Sequence, residues 1–134
     1  NPEDPRAFDE AIAYGKEIGA KLVLATDPDA DRLGMGVFHN GEYVLLNGNQ
    51  SATIMVDYIC SQLKAKGELP ENGWVYSTNV SGSLPLKIAE GYGLKTYTSL
   101  TGFKFIGEQA HKTKARGGVY VYGYEESYGC LIGD

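Results

Sequence analysis

The chain has 134 residues, 43% of them hydrophobic and 22% charged, enough for one domain or for a small domain plus part of another, with a core that needs no staples. A formal charge of −5 speaks against a broad nucleic-acid or anionic-membrane surface, both of which need concentrated basic charge, so any phosphate recognition must be local. Two cysteines without CxxC spacing support neither a zinc knuckle nor a disulfide framework. No apolar run nears the roughly 18 residues of a membrane helix, and the reading is a cytoplasmic chain with reduced thiols.

The N-terminal Asn1-Pro2-Glu3-Asp4-Pro5 lacks the basic and apolar regions of a signal peptide, and the missing initiator Met suggests a piece of a longer chain. Asp4 as a cap, Pro5 at the first helical position and Ala7, Phe8, Ala11, Ile12, Gly15 and Ile18 at helical spacing predict a helix closed by Gly19. The continuous run Leu22-Val23-Leu24-Ala25 predicts a strand covered on both faces, as in a parallel sheet. Runs 33–38 and 42–46 flank His39-Asn40-Gly41, and an Asn-Gly pair between β-prone runs predicts a hairpin.

A second unit opens at the turn-rich Asn47-Gly48-Asn49-Gln50, after which Ala52, Ile54, Met55, Ile59, Cys60 and Leu63 mark a helix ending near Gly67. Strand 74–78, helix 83–91, strand 95–98, helix 104–115 and strand 119–123 alternate up to a loop over 124–129. The fold class expected is α/β, a three-layer α/β/α unit with a mixed, largely parallel sheet over 47–134. A partial α/β domain ending in a hairpin precedes it over 1–46. Neither an internal repeat nor a low-complexity tract is visible.

The chemistry concentrates in three segments. Asp27-Pro28-Asp29-Ala30-Asp31-Arg32 follows the first predicted strand, and carboxylates at i, i+2 and i+4 of an extended segment project to one side. Three hard oxygen donors on a small arc suit Mg²⁺. A solvated acidic loop is the bland alternative, and an EF-hand is rejected because its glycine and glutamate positions hold Arg32 and Phe38. Arg32 beside a cation site makes sense if its guanidinium meets a phosphate bound to that metal; plain neutralisation of the aspartates is the alternative.

Gly123-Tyr124-Glu125-Glu126-Ser127-Tyr128-Gly129 also follows a strand, where ligand sites of such sheets lie. Glu125 and Ser127, two residues apart, suit vicinal sugar hydroxyls. Thr101-Gly102-Phe103-Lys104 opens a helix, so free backbone N–H groups and Lys104 can meet a phosphate, although capping by Thr101 and a surface lysine are the default. His39 and His111 lack a metal-spaced partner, and the tyrosines fit strand packing better than base stacking.

In this order the three segments resemble the α-D-phosphohexomutase family, the phosphoglucomutases and phosphomannomutases, and the resemblance covers essentially the whole chain. It implies an enzyme that interconverts hexose 1-phosphate and hexose 6-phosphate through a phosphoserine, with Mg²⁺ as cofactor and glucose 1,6-bisphosphate as activator and intermediate. It implies that Asp27, Asp29 and Asp31 are the metal ligands and that Arg32 and Lys104 serve catalysis. Glu125, Ser127, Thr101 and Gly102 would bind substrate. By the same resemblance residues 1–46 end the second domain of such an enzyme and 47–134 form most of the third. The chain would then be inactive alone, because no Thr-Ala-Ser-His-Asn-Pro-like serine segment occurs in it and the first and fourth domains are missing. Tyr128-Gly129 replaces the histidine that many bacterial phosphomannomutases carry two residues after the sugar-reading serine, which tilts the expectation toward a phosphoglucomutase-like member. Two other readings stand beside it. One is a phosphatase or mutase of the haloacid-dehalogenase kind with an aspartate nucleophile, the other a non-catalytic metal- or carbohydrate-binding module.

Overall fold

A computed structural model describes residues 1–133. Its elements are a 3₁₀ turn (Pro5–Phe8), α1 (Asp9–Ile18), β1 (Leu22–Thr26), β2 (Leu33–His39), β3 (Glu42–Leu46), α2 (Gly48–Lys66) and β4 (Gly73–Thr78). They continue with α3 (Leu84–Gly91), β5 (Lys95–Ser99), α4 (Phe103–Ala115), β6 (Val119–Tyr124) and β7 (Cys130–Ile132).

Local chemistry accounts for most boundaries. Asp4 accepts the Arg6 N–H and Gly19 ends α1 in the left-handed region, while Asn40 and Gly41, both at positive φ, make the tight turn between β2 and β3. The turn-rich stretch before α2 is its first turn: Asn47 accepts the Gln50 N–H, and the Gln50 side chain returns to the Asn47 N–H in a capping box.

β5, β4 and β6 run parallel and β7 closes the edge antiparallel, in the order β5-β4-β6-β7. One face is covered by α2 and α3 through Ala52, Val56, Cys60, Val75, Ala89 and Val121, and the other by α4 through Ile106 against Tyr76 and Tyr120. That is the expected three-layer unit. The tyrosines pack as core rings, with Tyr76 and Tyr120 stacked at 5.5 Å between centroids. Pairing of β4 with β6 slips by one residue near Val121, so Tyr120 joins the α4 side while Tyr122 and Tyr124 join the α2 side. The slip decides on which side the residue after the strand emerges.

The preceding sheet, β1-β2-β3, is wholly antiparallel, which corrects the expectation of a doubly covered parallel strand at 22–25. One face lies on α1 and the 3₁₀ turn through Val23, Phe8 and the close approaches of Gly34 and Gly36. The other aligns Leu22 with Val37 and Val44, and Leu24 with Met35 and Leu46, and Leu22 and Leu24 are about half exposed. A run that is apolar on both faces reads the same whatever the direction of its neighbour.

No repeat shows in the sequence, yet one supersecondary unit occurs twice. α1, β1, an acidic loop and antiparallel β2 match in order α4, β6, a second acidic loop and antiparallel β7. Both chemistry-bearing loops are the turn between a strand and its antiparallel neighbour.

Candidate metal and sugar site

The metal loop does not stay extended. Ala30 donates its N–H to the Asp27 carbonyl at 3.0 Å, Pro28 occupies the second place of that turn and Ala30 itself lies at φ 57. This turn, and not simple strand alternation, gathers one carboxylate oxygen from each of Asp27, Asp29 and Asp31 within 4.8 Å of one another. Trans ligands of Mg²⁺ stand roughly 4.2 Å apart at Mg–O distances of about 2.1 Å, so a small contraction of this all-oxygen set fits a hard divalent cation.

Asp27 is buried and anchors the loop. Its carboxylate accepts the Arg32 Nε–H at 2.7 Å and the Arg32 backbone N–H at 3.2 Å, and it keeps lone pairs for a metal. The Arg32 side chain, with help from that backbone N–H, holds the Asp27 carboxyl at about 2. Against an ordinary value of 3.8 this depression stabilises the fold above the ordinary value, and the contribution is lost as pH falls through about 2. Arg32 also reaches Glu3 at 3.4 Å.

Asp31 shifts the other way, raised by loss of hydration and then by the charge of Asp29 and its contact with Asp27. A metal must therefore displace a proton from Asp31 when the solution is acidic. Mn²⁺ affinity, followed by titration calorimetry, is expected to weaken by about tenfold per pH unit once pH drops below the raised Asp31 value, with one proton released per ion bound. Affinity that stays flat as pH falls from neutrality through the ordinary value of 3.8 contradicts that role for Asp31.

Glu125, the residue expected to read sugar hydroxyls, emerges from β6 on the α4 side and is buried. Its Oε1 accepts the Gly102 N–H at 2.7 Å, so the second and third segments meet directly. Gly102 lies at φ 118, ψ 123, a conformation that excludes a side chain at this turn into α4. Glu125 N–H donates to Gly129 O at 2.9 Å and closes the loop.

Asp31, Arg32, Glu125 and Ser127 line one cleft of about 380 Å³, with Ala30, Phe103 and Cys130 among its other walls. The two loops are joined by the Leu33 N–H, which donates to the Tyr128 carbonyl at 3.0 Å, and Tyr128 takes φ 72 to present it. Thr101 is exposed, with Oγ1 3.5 Å from Asn79 Oδ1. Lys104 is exposed as well, its Nζ 4.9 Å from the Phe105 ring centroid, and it does not line the cleft. Sequence reasoning passed over Phe103, Cys130 and Glu126. The acidic doublet Glu125-Glu126 was the available signal for the last.

The sequence model described as phosphoglucomutase/phosphomannomutase, alpha/beta/alpha domain III, matches residues 47–134, and that for alpha/beta/alpha domain II matches residues 1–40. A phosphoglucomutase of Staphylococcus epidermidis is 37% identical over 132 residues, 98% of this chain and 23% of that protein. A phosphomannomutase of Mycoplasmoides pirum is 36% identical over 131 residues, again 98% and 23%. The chain thus spans about a quarter of the length of these relatives. In structure it is similar to a phosphoglucomutase/phosphomannomutase family protein of Burkholderia thailandensis, with a TM-score of 0.72 and 18% identity over 98% of this chain and 25% of the other, a likeness of fold. With a domain model matching most of its length, the chain belongs to the phosphoglucomutase/phosphomannomutase family.

Proposed function

We propose that the chain is the metal-binding and sugar-reading part of an enzyme that interconverts hexose 1-phosphate and hexose 6-phosphate through a phosphoserine carried by another domain of the same polypeptide. Residues 1–46 end one domain and 47–134 make up the next. The observation that carries this reading is the shared cleft, where the arginine of the acidic loop and the Glu125/Ser127 pair face one space.

Asp27, Asp29 and Asp31 would hold Mg²⁺, which when bound supplies positive charge to a phosphoryl oxygen. Arg32, fixed by Asp27, presents its guanidinium to the substrate's phosphate, and glucose 1,6-bisphosphate would be the intermediate and activator. The free oxygen of Glu125 and the hydroxyl of Ser127 take two sugar hydroxyls, Glu125 being oriented by Gly102. Thr101, the Gly102 turn and Lys104 would close over the substrate from the rim, which asks Lys104 to leave Phe105. An aspartyl-phosphate mechanism is not favoured, because the family models and the relatives matched are those of phosphoglucomutases and phosphomannomutases. No helix among the described residues is long and apolar enough to cross a membrane, and we place the enzyme in the cytoplasm with neither membrane nor nucleic acid as partner.

The test is kinetic, on glucose 1-phosphate across a Mg²⁺ titration with the full-length polypeptide. Glu125→Ala is expected to lose about 1.5–3 kcal/mol of transition-state stabilisation, Ser127→Ala less, with neither rescued by Mg²⁺. Asp29→Ala is expected to be rescued in part, since two carboxylates remain. Unchanged kcat/KM for a folded Glu125→Ala enzyme removes this loop from the sugar site. The 134-residue chain alone is expected to turn over no substrate.

A further inference from the structure

Between the two sugar-reading side chains stands Glu126, half-buried and turned away from the cleft. Its Oε2 accepts the Ser81 hydroxyl at 2.6 Å, and its backbone N–H donates to the same Ser81 Oγ at 3.0 Å. Thr78 Oγ1 lies 2.8 Å from Ser81 Oγ and 3.4 Å from Glu126 Oε2, so the Thr78 proton goes to the serine once the serine's own proton goes to the carboxylate. Every ion pair found among the described residues leaves Glu126 out. A half-buried carboxylate kept by the Ser81 hydroxyl, with Thr78 behind it and no cation, costs hydration that an apolar side chain would not.

What it grips is rigid. Ser81 sits in the loop after β4, a central strand of the sheet. That loop is pinned on both sides, by the Gly82 N–H donating to Asn49 Oδ1 at 2.8 Å and by Tyr124 Oη donating to the Gly82 carbonyl at 2.7 Å. The Glu126 carbonyl in turn packs on Gly48 so closely that a Cβ there would stand 2.1 Å from its oxygen. Side chain, N–H and carbonyl of one residue in the turn after β6 are thus all fixed, which limits the directions in which the residues before and after it can point.

We infer that Glu126 and Ser81 form a positioning pair that aims Glu125 and Ser127 into the sugar cleft; this rests on the sugar-site reading above. Neither touches substrate. Their loss should loosen sugar recognition and leave the metal loop untouched, a pattern that general destabilisation does not produce.

The test compares Glu126→Ala, Glu126→Gln, Ser81→Ala and the Glu126→Ala/Ser81→Ala double variant in the full-length enzyme with glucose 1-phosphate. Glu126→Ala is expected to raise KM by roughly tenfold, the scale of one charge-assisted hydrogen bond, at an unchanged half-saturating Mg²⁺ concentration. Ser81→Ala should match it, the double variant should be no worse than either single one, and the amide oxygen of Glu126→Gln should recover most of the loss. KM within twofold of the parent for Ser81→Ala overturns the inference, and so does a loss that adds up in the double variant or appears in the Mg²⁺ dependence instead. Should Glu126→Ala fail to fold, Ser81→Ala and Glu126→Gln decide alone. Glu125→Ala run in parallel separates the two claims: impaired Glu125→Ala beside a normal Ser81→Ala sinks only the positioning pair, whereas a normal Glu125→Ala sinks the sugar site itself.

Discussion

Replacing Asp27 by alanine is expected to lower kcat roughly 10²–10³-fold in the full-length enzyme, the scale on which a preorganised charge at a phosphoryl group acts, with no rescue by added Mg²⁺. The reason lies in the double duty of this carboxylate. It contributes one of the three gathered oxygens and also accepts both the Nε–H and the backbone N–H of Arg32. On the proposed reading, removing it would take a ligand from the ion and let the arginine swing away from the phosphate position. Asp29 is exposed and holds no comparable partner among the described hydrogen bonds, so its loss leaves the arginine in place. Asp27→Asn should be nearly as damaging, because an amide has one acceptor oxygen where Arg32 uses two. Steady-state kinetics over a wide Mg²⁺ range, beside a Mn²⁺ binding titration, separates the cases. A kcat within tenfold of the parent for Asp27→Ala would falsify its place at the centre of the metal loop.

Element boundaries were legible where they fall at a punctuation mark that sequence shows well. Asn40-Gly41 announces a turn by its own backbone preference, and Gly19 and Gly67 end their helices in the left-handed region. Periodicity likewise places α1 through α4, whose apolar stripes follow the helical repeat. What escaped was pairing. β7 is three residues long and exposed, too short for an alternation signal, so the sugar loop read as an open end and not as a hairpin closing on Cys130. The direction of β1 escaped for a related reason, since its neighbour lies beyond the acidic loop and its apolar run is compatible with either hand.

The site shows the same division. Which residues carry oxygen and charge is written in the sequence, but the way they converge is not. Extended alternation was the stated reason for three gathered aspartates, and a turn at Pro28-Asp29 does the gathering instead. The contact of Gly102 with Glu125 spans 23 residues and that of Ser81 with Glu126 spans 45, and no local pattern encodes a partner at such a distance. Asn47-x-x-Gln50 was a readable capping box that turn composition concealed.

Gly48→Ala is the substitution for which sequence reasoning alone would forecast a gain. Alanine is the better helix former by about 0.8–1 kcal/mol, and Gly48 opens α2 without needing a positive φ. The structure reverses the sign. A Cβ at this position would stand 2.1 Å from the Glu126 carbonyl oxygen, 2.7 Å from its carbon and 3.0 Å from the Tyr128 nitrogen. All three are backbone atoms, so no rotamer change relieves the overlap. Either α2 or the sugar loop must move. The capping box of Asn47 and Gln50 holds the helix start, and Ala52 and Val56 bury its face in the core. The loop should therefore yield, carrying Glu125 and Ser127 with it and pulling the Tyr128 carbonyl off Leu33. We expect a stability loss of about 1–3 kcal/mol, the usual cost of overpacking, together with a fall in kcat/KM that exceeds that of Glu125→Ala because both sugar contacts are displaced together. Gly67→Ala supplies the contrast: nothing crowds its Cβ, and only the left-handed φ of 71 is strained, so stability should drop by about 1 kcal/mol with kcat/KM unaltered. Urea unfolding and glucose 1-phosphate kinetics on the two variants decide the matter, and a Gly48→Ala enzyme as stable and as active as the parent would show that α2 and the sugar loop are not in contact.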